Sequence, residues 1–90
     1  MNIDIAMADK VMGWGKWSCR TVFIGGISWH PSTDIGQAFE AAEKGFYKYW
    51  LIKEESGRYR CVGMKHGSCV QKRATADTIE MAICMALLSD

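Results

Sequence analysis

The heptad Trp29-His30-Pro31-Ser32-Thr33-Asp34-Ile35 contains the only proline of the chain. It constrains the fold more than any other stretch. The Pro31 ring crowds the preceding residue out of helical geometry, so Trp29-His30 is expected to enter extended. Ser32, Thr33 and Asp34 can each cap a helix, and Asp34 with Gln37 has the D-x-x-Q spacing of a capping box. An extended approach followed at once by a helix start is therefore expected here. The same geometry would hold an indole and an imidazole beside backbone N–H groups that a helix start leaves free, which is one way to build a pocket rim or an anion site.

The helix that follows is expected over residues 33–44. Ile35, Ala38, Phe39 and Ala42 form its apolar stripe, with Gln37, Glu40, Glu43 and Lys44 opposite. Gly45 is placed to be the left-handed residue after its end. An earlier helix is expected over residues 3–14, where Ile5, Ala8, Val11 and Met12 recur at helical spacing and Gly13 and Gly15 stop the pattern. A last helix is expected over residues 76–88, capped by Thr75 or by an Asp77-x-x-Glu80 box. It is apolar nearly all round, so it is buried on two sides, or buried once and used again between subunits.

Between the second and third helices lie strand-like runs at 47–53, 58–65 and 68–73, with Glu54-Glu55-Ser56-Gly57 as a hairpin loop. They suggest an antiparallel meander. Strand alternation puts Tyr59, Cys61 and Gly63 on one face and Arg58, Arg60, Val62 and Met64 on the other. In the first run Tyr47, Tyr49 and Leu51 alternate with Lys48, Trp50 and Ile52. Residues 17–24 are rich in β-branched and aromatic side chains and read as a strand ending at Gly25-Gly26, or as an irregular loop. The fold class is α+β: one small antiparallel sheet packed with about three helices, in a single domain spanning residues 1–90. A chain of this length buries roughly 60–65% of its unfolded surface.

Charge narrows the partners. The net charge is +1, but no acidic residue lies between Gly57 and Ala76, where Arg58, Arg60, Lys65, Lys72, Arg73 and His66 fall. A local basic patch on a near-neutral protein suits a small anionic ligand or an acidic partner, and not duplex DNA, which wants a larger basic surface. Four Trp and six Met exceed what a minimal core needs, and both types favour binding surfaces. The N-terminus has neither a basic region nor a long apolar run, and no stretch approaches the length of a membrane span. A cytoplasmic protein with reduced thiols at Cys19, Cys61, Cys69 and Cys84 is expected.

Three ordered stretches resemble one family. They are Ala8-Asp9-Lys10-Val11-Met12-Gly13-Trp14, then Pro31-Ser32-Thr33-Asp34-Ile35 with Ala38, then Ala82-Ile83-Cys84-Met85-Ala86-Leu87-Leu88. Together they look like the phage ABA sandwich domain family of small phage and prophage proteins. The resemblance covers most of the chain. It implies helices packed on a small antiparallel sheet, sandwich-like, in an infected or lysogenic bacterial host. It brings no catalytic residues with it. It implies that a shared surface lies at Val11, Met12, Gly13, Trp14, Pro31, Ser32, Thr33 and Asp34.

The chemistry-bearing residues favour binding over catalysis. Cys61-x4-His66-x2-Cys69, with Cys19 as a distant fourth ligand, has no C-x-x-C pair, so no metal is expected. No cysteine or histidine stands in a spacing that activates a nucleophile, so no enzyme activity and no cofactor are expected. The expected ligand site combines Trp14, Trp29, His30, Ser32 and Thr33 with Tyr59 and the cations Arg58, Arg60, Lys72 and Arg73. Aromatic rings stack on bases and arginines take phosphates bidentately. The charge of Asp34 counts against a bare phosphate at the heptad itself. The reading is a non-enzymatic phage protein that counters bacterial defence by sequestering a nucleotide-type signal between the subunits of a homo-oligomer. Its alternatives are an inhibitor docking on a host defence protein, such as a nuclease or CRISPR effector, and a structural accessory without a ligand.

Overall fold

The computed structural model describes residues 3–13, 22–24, 27–67 and 70–89. The elements run α1 (Ile3–Lys10), β1 (Val22–Ile24), β2 (Ile27–Trp29), α2 (Ile35–Gly45), β3 (Phe46–Lys53), β4 (Tyr59–Lys65), β5 (Gln71–Ala76) and α3 (Ile79–Leu88). β1 and β2 form a small antiparallel hairpin, and β3, β4 and β5 form a three-stranded antiparallel meander in that order. Three helices with this sheet make an α+β fold, as the sequence patterns imply. Gly25 and Gly26, and residues 17–21 of the run at 17–24, lie outside the described residues.

The helices stand on one face of the meander. Tyr49 and Leu51 of β3, Tyr59 and Cys61 of β4, and Ala74 and Ala76 of β5 join the core with the buried side chains of the helices. Register explains the grouping, since Leu51, Cys61 and Ala74 are direct cross-strand neighbours. α3 is the central helix: it packs on β4, β5, α2 and α1. Ala82, Ile83, Cys84, Ala86 and Leu87 are buried, leaving Met85 as its exposed large hydrophobic residue. Full burial of Ile83 and Leu87 is worth roughly 1.5–3 kcal/mol each. Packing within one chain thus buries one side of this apolar helix and leaves Met85 outward.

Several local expectations are corrected. α3 begins at Ile79, with Thr78 as N-cap, its Oγ1 accepting from the Met81 N–H at 3.2 Å. Residues 74–76 pair instead with Cys61, Arg60 and Tyr59 in the sheet, so neither Thr75 nor Asp77 is the cap. The third strand accordingly runs from Gln71 to Ala76, later than its composition suggests. Gly45 ends α2 in ordinary geometry, and β3 follows without a turn. What requires glycine there is packing: a Cβ would lie 2.3 Å from Leu87 Cδ2 and 3.2 Å from Val11 Cγ1. The first helix ends at Lys10, and Gly13 carries the positive φ of 73° beyond it.

Candidate functional site

The heptad is a structural joint. Ser32 N–H donates to Asp4 Oδ1 of α1 at 2.9 Å, and Thr33 and Asp34 N–H both donate to the His30 carbonyl, at 3.1 and 2.9 Å. Asp34 caps α2 by accepting from Gln37 N–H at 3.0 Å, while Gln37 Oε1 reaches back to accept from His30 N–H at 2.6 Å. The capping box thus closes on His30, not on the cap residue. With these donors taken, the N–H groups of Ser32, Thr33 and Asp34 present no anion site. Trp29 is 4% exposed and belongs to the core, so its indole is not a pocket wall. His30 Nδ1 is buried and has no hydrogen-bond partner among the described residues.

The other predicted site residues separate. Trp14 lies outside the described residues. Tyr59 and Lys72 sit on the helix-facing side of the sheet. Arg58 pairs with Asp77 at 3.3 Å, beside a cavity lined by Tyr59, Asp77, Thr78, Ile79 and Glu80. Two carboxylates at that cavity disfavour an anion. Of the predicted cations, Arg60 and Arg73 share the sheet face that no described helix covers. Of the cysteine-histidine series, Cys61 faces the core and His66 is exposed, while Cys19 and Cys69 lie outside the described residues. Among the described residues no cluster of His, Cys, Asp or Glu could hold a metal ion.

The open face is built by strand alternation. Lys48, Trp50 and Ile52 of β3 project with Arg60, Val62 and Met64 of β4 and with Gln71, Arg73 and Thr75 of β5. Register arranges them in rows: Lys48–Met64–Gln71, Trp50–Val62–Arg73 and Ile52–Arg60–Thr75. Trp50 is 37% and Ile52 40% exposed. Val62 is buried but lies outside the core cluster, so it is covered by its neighbours on this face. Arg60 is paired with Glu54. Lys48 and Arg73 are exposed and engaged in no ion pair among the described residues. The sequence counts Trp50 among its binding aromatics but not in the expected site, and leaves out Lys48 and Ile52, although alternation groups the three. A bulge at Tyr47 sets the phase of β3, so that Phe46 turns inward and Lys48 outward.

The two described thiols, Cys61 and Cys84, are buried in the core. Burial pushes Cys61 up to about 11 and Cys84 up to about 12, so both stay protonated at neutral pH. Tyr49 is also raised, first by burial and then by Glu43, whose Oε1 accepts from its hydroxyl at 3.3 Å.

Fold and surface together define a small α+β protein with one helix-covered and one open sheet face. No helix among the described residues is long and apolar enough to cross a membrane. The chain belongs to the phage ABA sandwich domain family, whose model matches residues 5–88, nearly its whole length. It is thus a small phage-type protein. Comparison with curated proteins and with solved structures gave no match.

Proposed function

We propose that this protein is a non-enzymatic binding protein that sequesters a nucleotide-type anion on its open sheet face, and so blunts a bacterial defence that signals through such a molecule. The observation that carries the reading is the Trp50–Val62–Arg73 row, with Lys48 one row away. A base stacked on an exposed indole contributes about 1–3 kcal/mol. Arg73, two strands across the sheet, and Lys48, one row along β3, could meet the ligand's phosphate oxygens. A flat face leaves the far side of such a ligand in water. A second copy closing over it would bury that side. Two such faces carry like charge from Lys48, Arg60 and Arg73 against Glu54, so pairing would depend on the anion between them. The host cytoplasm is where such a signal would be met.

Isothermal titration against cyclic di- and oligonucleotides tests the reading, with sedimentation in the same samples. Binding should be lost in Trp50→Ala and Arg73→Ala, and the sedimenting mass should double with ligand. No heat with any member overturns it. A second reading has its own support. Trp50 is of the residue type that dominates protein–protein hot spots, and Met64 beside it is of a type enriched at interface cores. Stoichiometric recovery of one host protein, abolished by Trp50→Asp, would favour an inhibitor of that protein instead.

A further inference from the structure

Three helix ends meet at one edge of the molecule. Lys10 closes α1, Lys44 and Gly45 close α2, and Leu87 lies in the last turn of α3. With Val11, and with Lys65 and His66 at the end of β4, they line one cavity of about 240 Å³. Among the described residues no acidic side chain lines it. The backbone holds the walls together, since His66 N–H donates to the Gly45 carbonyl at 3.4 Å.

Part of this positive charge serves the helices. A helix C-terminus carries roughly half a negative unit, and cations beside it are stabilising. Lys65 has that role, its Nζ donating to the Ser89 carbonyl at 2.7 Å, at the cap of α3. Lys10 and Lys44, in the last turns of α1 and α2, offset the dipole by position alone. Both are exposed, and neither takes part in an ion pair or hydrogen bond among the described residues. Three half-charges come to roughly −1.5 units, which the three lysines alone exceed among the described residues. The cavity therefore keeps a positive surplus.

We propose that this cavity binds a compact anion of the phosphate class, with Lys10, Lys44 and His66 as its donors. Size sets the class. Pockets for drug-sized ligands run from about 300 to 1,000 Å³. This one is smaller, so it takes a phosphate or pyrophosphate group and not a whole dinucleotide. Lysine ammonium groups serve as point-charge donors to such oxygens. The proposal is independent of the open sheet face, because it needs neither a base nor an aromatic platform. The anion would tie the ends of α1, α2 and β4 together, so it should raise thermal stability.

Titration calorimetry and thermal denaturation of the whole chain test this. The probes are inorganic phosphate, pyrophosphate, adenosine monophosphate and adenosine, each against sodium chloride of matched ionic strength. Saturable binding of phosphate or pyrophosphate is expected, with a rise in Tm beyond that of the chloride control. Lys10→Ala and Lys44→Ala should each weaken it at least tenfold, and Lys44→Arg should restore it. Lys53→Ala removes the same charge beside Tyr59 and should leave affinity unchanged. Binding of free anions alone would mean an inorganic ligand. Binding of adenosine monophosphate as well would mean that an esterified phosphate is taken. Either supports the site. A Tm rise no larger than that from chloride, equal affinity in Lys44→Ala, or binding of adenosine as tight as that of its monophosphate would overturn it.

Discussion

The ring of Phe46 occupies the space that a side chain on Gly63 would need. A Cβ built on Gly63 would lie 2.7 Å from both Cδ1 and Cε1 of that ring. Phe46 is 3% exposed and sits where β3 leaves α2, so the ring has nowhere to retreat. Gly63→Ala should therefore destabilise the protein by about 1–3 kcal/mol, the usual cost of overpacking a filled core. Urea unfolding would show a lower midpoint at unchanged slope. A midpoint within error of wild type would mean that the ring moves freely.

The joint between α1 and α2 rests on two carboxylates with different tasks. Asp34 caps α2 through Gln37 N–H, and Asp34→Ala should cost about 1 kcal/mol. Asp4 accepts from Ser32 N–H, 28 residues away. Asp4→Ala leaves that part-buried donor without its acceptor, at a cost of about 1–3 kcal/mol. Amide exchange separates the two. Asp4→Ala should speed exchange at Ser32 and Asp34→Ala at Gln37, each leaving the other amide protected.

Trp29→Ala is expected to act on folding. The indole is in the core cluster, and large-to-small changes at buried aromatics cost about 3–5 kcal/mol. Beside a proline the sequence offered no means of telling a wall of a pocket from a wall of the core. A folded Trp29→Ala of near wild-type Tm that has lost ligand would return the indole to the binding site.

That ambiguity shows where the sequence was legible. α2 was readable to within two residues because one stripe, Ala38 with Ala42, meets the core and the opposite side meets water. The sequence pattern starts α3 three residues early, at Ala76, because Thr75 and Asp77 are both capping types, and only pairing with Tyr59 makes Ala76 strand. The open face is the instructive case. Alternation grouped Trp50 with Ile52 and Tyr49 with Leu51 correctly. Both sets are apolar, so local pattern could not tell which one the helices would cover. The basic cavity was invisible for another reason: Lys10, Lys44 and Lys65 come together only when three helix ends converge.

The buried thiols set a pH limit on stability. In the unfolded chain they ionise near pH 9, whereas in the folded protein Cys61 and Cys84 hold their protons to about 11 and about 12. Above pH 9 the unfolded state binds fewer protons than the native state, so stability falls as pH rises. Their contribution is intact below pH 9 and is lost between pH 9 and 12. The decline of Tm across that window should be shallower in Cys61→Ala than in wild type. Mass mapping after alkylation at pH 8 should find Cys61 and Cys84 unmodified until urea is added.

The ion pair between Arg60 and Glu54 connects stability to binding on the open face. Both side chains are partly exposed, and pairs of that kind contribute about 0–1 kcal/mol. Glu54→Gln should therefore leave the unfolding midpoint almost unchanged. It also releases the Arg60 guanidinium, one row from Trp50, and removes the negative charge packed against it. Affinity of the open face for a nucleotide-type anion should then rise several-fold, and its decrease with added salt should steepen. Titration of Glu54→Gln beside wild type at two salt concentrations reads both effects. Equal affinities at both salts would place the anion away from Arg60 and restrict the open face to the Lys48 and Arg73 rows.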